Sequence, residues 1–116
     1  MAVIDWEQFN DNFQYYDKEV IKEVIYIFIN EYDSRISNLQ KDIEDIDYAN
    51  LAFHAHSFKG VIGNYMAPEV YELGRKLEEL AIAKSSKGIP ELFDKLKIGS
   101  KDLLIELKYY LQNLEE

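Results

Sequence analysis

The chain's hydrophobic pattern predicts an all-α protein: an antiparallel four-helix bundle with a short additional N-terminal helix. Three observations carry this. Apolar residues recur at three- and four-residue spacings along nearly the whole chain, and alternating strand patterns are almost absent. The only two prolines, Pro68 and Pro90, each stand where a helix can begin. At 116 residues, with no internal repeat and no low-complexity linker, the chain fits one domain spanning 1–116.

The first helix is short. Asp5 is its predicted N-cap, followed by Trp6, Phe9 and Phe13. The second runs from about Asp17 to Ile43, with Ile21, Val24, Ile25, Phe28, Tyr32, Ile36, Leu39 and Ile43 as its apolar stripe. Val20, Ile27 and Ile29 widen that stripe, which predicts contact with more than one neighbour. At ~1.5 Å per residue this helix is ~40 Å long. Residues 44–47 read as a turn, and Asp47 caps a third helix reaching about Met66. A fourth starts near Pro68 and carries Val70, Leu73, Leu77 and Leu80. Residues 84–88 form the clearest loop. A fifth follows Pro90, with Phe93, Leu96, Leu103, Leu107, Tyr110 and Leu114 inward. Gly99 and Ser100 fall inside it and mark either a kink or a close helix contact.

The composition removes several classes of function. No cysteine is present, so disulfides and thiolate chemistry are excluded. With 22 Asp and Glu against 13 Lys and Arg, there is no basic footprint for nucleic acid or for an anionic membrane surface. The N-terminal residues lack the basic and apolar regions of a signal peptide. The longest strongly apolar run, residues 24–29, is too short to span a bilayer. These features predict a soluble, cytoplasmic protein. The glycines form neither a Walker loop nor a dinucleotide fingerprint, so the chain shows no means of binding ATP. No Glu-x-x-His pair supports a di-metal centre. Of the nine tyrosines, Tyr15, Tyr26, Tyr32, Tyr48, Tyr65 and Tyr109 fit half-buried helix edges, with ring packed and hydroxyl wet. No metal and no cofactor are expected.

The third helix is different. At about 100° per residue, Leu51, Phe58, Ile62 and Tyr65 gather on one side. The opposite side holds Ala49, Ala52, His56, Gly60 and Gly63, with Lys59 near its edge. An imidazole is thus surrounded by residues with almost no side chain. Each mid-helix glycine costs about 1 kcal/mol relative to alanine, so two on one face need a reason. One reason is clearance for a bulky partner approaching His56. The other is close packing against a second helix, which a histidine and a lysine would suit poorly. Lys59 is three residues after His56 and therefore its neighbour, able to neutralise the oxygens of a phosphate carried on the ring. His54 points about 200° away from His56, so the two cannot share a metal ion; it reads as a packed histidine at the core edge.

The segment Ala55-His56-Ser57-Phe58-Lys59-Gly60 resembles the core motif of the histidine-containing phosphotransfer (HPt) domains of multistep two-component signalling. Residues 61–67 resemble the family's continuation, and Leu73-Gly74-Arg75-Lys76-Leu77-Glu78 its next helix. Val61, Ile62 and Met66 depart from the small residues and glycine frequent there. The resemblance implies that His56 accepts a phosphoryl group, that Lys59 assists the phosphate charge, and that Gly60 gives a receiver domain room to dock. It implies receiver domains of response regulators as partners, with a hybrid sensor kinase upstream. The receiver's phospho-aspartate and bound magnesium would supply most of the catalytic apparatus. The sequence reading is therefore a monomeric phosphorelay carrier rather than an enzyme with its own ATP site. The docking face is expected around His56, with Gly60, Gly63, Ala52 and Phe53, extended by Phe9 or Phe13 of the first helix. The competing reading is a non-catalytic adaptor bundle in which His56 is incidental. A metal- or cofactor-binding bundle enzyme is a weaker third.

Overall fold

The computed structural model describes residues 2–115. Five helices follow one another: α1 (Trp6–Phe13), α2 (Lys18–Glu44), α3 (Tyr48–Gly63), α4 (Pro68–Ile82) and α5 (Ile89–Glu115). No strand occurs among the described residues. Two helices of 27 residues, α2 and α5, pair with the shorter α3 and α4. Each helix touches the next from α2 to α5, and α2 closes the ring against α5. Short connections make successive helices antiparallel. α3 and α5 therefore lie on opposite corners of the bundle.

Local chemistry explains the boundaries. The Asp5 and Asp47 carboxylates accept from the amides of Gln8 and Asn50, both at 3.1 Å, and so cap α1 and α3. α2 ends in a Schellman motif: the amide of Asp47 donates to the carbonyl of Asp42 and that of Ile46 to Ile43. α4 ends the same way, with Ser85 donating to Leu80 and Lys84 to Ala81. Both motifs need a left-handed residue, supplied by Ile46 (φ 54°) and Lys84 (φ 55°). α5 begins at Ile89, one residue before Pro90.

α3 stops at Gly63, three residues short of the expected Met66. Met66 adopts φ 59°, and Pro68 disfavours a helical Ala67 before it. The turn drives Tyr65 into the core, where its hydroxyl donates to the Val24 carbonyl at 2.7 Å. Phe28 meets this ring edge-on at 5.1 Å and stacks at 6.4 Å from Phe58. Each such fully buried ring contributes roughly 2–3 kcal/mol of burial free energy. Met66 thus occupies, under mild strain, a left-handed backbone position that favours glycine.

α2 touches more than one neighbour, as expected, but one expectation about it needs correction. Val20 and Ile27 do not widen the buried stripe; both are exposed. α2 packs on α3 and α5, whereas α1 lies across the end of the bundle against α5 and the α3–α4 turn. The amides of Val3 and Ile4 donate to the Glu106 carboxylate, Asp5 donates to the Met66 carbonyl, and Trp6 stacks on Tyr110. Among the described residues no element covers Val20 and Ile27 on the outer strip of α2. The tyrosines are also less uniform than half-buried: Tyr32 and Tyr65 are buried, while Tyr15 and Tyr109 are largely exposed. Inside α5, Gly99 marks a close contact, because a Cβ there would stand 3.3 Å from a Val70 methyl. Ser100 is buried against the Tyr32 hydroxyl at 3.1 Å.

Candidate functional site

α3 is held on its apolar side by Leu51, Ala55, Phe58 and Ile62, all fully buried. That anchoring turns the opposite side outward. The His56 side chain is 68% exposed and sits in the middle of the helix. The face is bare where the sequence placed Gly60: a Cβ there would meet nothing within 4 Å. Gly63 differs. A Cβ at Gly63 would rest 3.5 Å from the Tyr71 ring, so this glycine lies under an α4 side chain at the edge of the open face. Ala52 is half-buried against the core. Phe53 is 68% exposed, and its ring stands edge-on to His54 at 5.4 Å.

The His56 ring is oriented by a residue that the sequence pattern does not single out. Glu78, on α4, accepts from His56 Nδ1 at 2.7 Å through one carboxylate oxygen and from Lys59 Nζ at 2.8 Å through the other. Lys59 therefore does not stand free beside the imidazole; both are tied to one shared carboxylate. Gly74 makes this possible. Its missing side chain lets α4 approach α3 so closely that a Cβ would lie 3.3 Å from Lys59 Cβ. The aliphatic stem of Lys59 lies across that gap, and its ammonium reaches Glu78, with the Tyr71 ring 5.9 Å away. The signal was present in α4 as a glycine and a glutamate four residues apart, Gly74 and Glu78, which share a helix face. Their meaning depends on which helix that face meets.

Electrostatics follow from this geometry. The hydrogen bond to Glu78 holds the Lys59 ammonium above its usual range, against a smaller opposing effect of burial. For Glu78, burial pushes the carboxyl up, but the hydrogen bonds from Lys59 and His56, together with their charges, outweigh it and hold it below the usual range. The carboxylate is thus ionised near neutral pH and acts only as an acceptor. A neutral His56 must then carry its proton on Nδ1, leaving the lone pair on Nε2. With Nδ1 engaged, Nε2 is the ring nitrogen left to meet another molecule.

The other basic groups flanking this face are also paired. Arg35 of α2 donates to the Ser57 hydroxyl at 3.0 Å and to Glu31 at 3.2 Å. Arg75 of α4 is held between Glu72 and Glu79. His54 lies on the far side of α3, 29% exposed, with Nδ1 2.5 Å from the buried carboxylate of Asp42. It is the packed histidine expected, and it shares nothing with His56. The first helix does not extend the open face: Phe9 and Phe13 are buried, clustered with each other and with Trp6 and Tyr110 at the bundle end. Those rings are the apolar side of an amphipathic helix, and α1 needs them to dock.

Among the described residues no three His, Asp or Glu side chains come together as a metal site. No helix there is long and apolar enough to cross a membrane. What the arrangement offers is one exposed, oriented imidazole nitrogen on an open surface. No curated protein and no solved structure matches the chain. The Hpt domain family model matches residues 23–116, and the chain accordingly belongs to the Hpt family, whose members are phosphotransfer carriers in phosphorelays with receiver domains as partners.

Proposed function

We propose that His56 accepts a phosphoryl group on Nε2 from the aspartyl phosphate of one receiver domain, or from a kinase, and passes it to another receiver. The observation that carries this reading is the shared Glu78 carboxylate, which orients an exposed imidazole so that Nε2 is the available nucleophile. In the transfer, the Nε2 lone pair attacks phosphorus in line. The bond from phosphorus to the aspartyl oxygen breaks, and its electron pair leaves with the receiver's carboxylate. The ring becomes a phospho-imidazolium that keeps its Nδ1 proton, and the Glu78 carboxylate stabilises that positive charge. The same steps in reverse deliver the group to a second receiver. The receiver's magnesium, when bound, screens the charge on the phosphoryl oxygens.

The remaining residues assist by position. Lys59 neutralises phosphate oxygens from its place on Glu78. Gly60 keeps the approach open, with Gly63 and Ala52 at its margin, and Phe53 offers an apolar contact at its rim. Residues 1–116 act as one domain, each bundle holding a complete acceptor site. A hybrid sensor kinase upstream and a cytoplasmic location fit such partners.

The test is uptake of acid-labile label from a phosphorylated receiver. Wild type and His54→Gln take up label, and His56→Gln does not. Uptake that survives His56→Gln overturns the assignment. A wild type that binds receivers but never takes up label supports the adaptor reading instead.

A further inference from the structure

The corner of the bundle opposite His56 carries an exposed apolar stripe that no element among the described residues covers. Ile98, Ile105 and Tyr109 of α5 are 66%, 55% and 68% exposed. Their spacings of seven and four residues put them on one helix face. Beside Ile105 and Tyr109 the stripe continues into an open cleft of about 550 Å³ between α1 and α5, floored by Trp6 and Tyr110. Apolar side chains of this size, aligned on one face, mark an interaction surface.

Charge identifies the occupant. α5 carries four lysines against five carboxylates, whereas the rest of the chain carries nine basic residues against seventeen acidic ones. Among the helices that carry carboxylates, α1, α2 and α4 are each two charges negative and α5 only one, so of these α5 is the one through which two copies repel least. The α5 sequence is also complementary to itself. In an antiparallel pair related by a two-fold axis through Ile105, a residue k positions before Ile105 faces the residue k positions after it on the partner. Ile105 then meets its own copy. Asp102 meets Lys108, and the symmetry makes that ion pair twice. Ile98 lies against the aliphatic part of Gln112. Asp102, Lys108 and Gln112 are all exposed in the single bundle.

We infer that this chain self-associates as a weak two-fold dimer through the outer face of α5, in the antiparallel register centred on Ile105. The acceptor sites stay on the two outer sides of such a dimer, because α3 and α5 occupy opposite corners. Both copies therefore remain open to receivers, and the single-copy state expected from sequence is the dissociated form. The inference does not depend on His56 being the acceptor.

Sedimentation equilibrium from roughly 10 μM to roughly 1 mM spans the affinities of a small interface. Wild type shows a reversible monomer–dimer equilibrium. Asp102→Lys and Lys108→Asp each put like charges opposite one another twice, and each weakens self-association by about tenfold. Mixing the two variants restores association as a heterodimer, because in each facing pair an introduced or native lysine then meets an introduced or native aspartate. Circular dichroism verifies that each variant is folded, as expected for exposed helical positions. A wild type monomeric at the highest concentration overturns the dimer. Single variants that associate like wild type, or a mixture that fails to associate, overturn the register.

Discussion

Glu78→Gln isolates what the shared carboxylate does for His56. The native group has two acceptor oxygens and serves two donors, His56 Nδ1 at 2.7 Å and Lys59 Nζ at 2.8 Å. A glutamine has one acceptor oxygen and one NH₂ donor. Lys59 can only donate, so it claims the amide oxygen. The NH₂ is left facing His56 Nδ1, which must become an acceptor, and the ring proton moves to Nε2. The nucleophilic lone pair is then on the wrong nitrogen. A hydrogen bond to a charged group is worth about 1.5–3 kcal/mol when buried. His56 is 68% exposed, so water replaces part of that. A penalty of about 1 kcal/mol for returning the proton to Nδ1 slows phosphoryl uptake by roughly fivefold. Two measurements read this: the rate of label uptake from a phosphorylated receiver, and the ¹⁵N shifts of the His56 ring, which move from an Nδ1–H to an Nε2–H pattern. An unchanged tautomer together with an unchanged rate would refute the orienting role.

Gly60→Gln should leave the melting temperature unchanged or raise it, because a Cβ there meets open space and any non-glycine residue favours the helix by several tenths of a kcal/mol. Transfer from a receiver should nevertheless slow; a variant that transfers at the wild-type rate would show that the bare face is not used. Ile46 is a β-branched, exposed residue at φ 54° in the cap of α2, so Ile46→Gly should stabilise the bundle by about 1 kcal/mol in urea unfolding. The Tyr65 hydroxyl is pushed up to about 12, chiefly by burial, from the usual 10.0. A raised folded-state value gives a contribution to stability that is complete below pH 10 and lost as pH rises through about 12. Absorbance at alkaline pH should therefore show Tyr65 ionising only as the protein unfolds; ionisation of Tyr65 in the still-folded protein at the usual value would contradict its buried hydrogen bond to Val24.

Helices, their order and most of their boundaries were legible in the sequence. Amphipathic spacing and cap residues are local signals, and the burial of Leu51, Phe58 and Ile62 on one side of α3 follows from a 3.6-residue period alone. The exposed ring of His56 and the bare surface at Gly60 follow from the same period. Where expectation and structure part, a distant contact decides the outcome. Apolar periodicity gave Val20 and Ile27 of α2 a buried face, yet no helix among the described residues covers them. Phe9 and Phe13 had two possible fates, an exposed docking surface or a core, and packing against Trp6 and Tyr110 chose the core.

Sequence by itself thus determined an all-helical bundle and one outward imidazole with a lysine beside it. Tertiary structure alone decided what holds that imidazole. Glu78 lies 22 residues from His56 and 19 from Lys59, on another helix. It reaches both only because Gly74 lets α4 press against the stem of Lys59. Helical period says which way a side chain points, but not which neighbour stands there. The depth of one interhelical contact, set by a missing Cβ, makes a carboxylate on α4 the orienting partner of a histidine on α3.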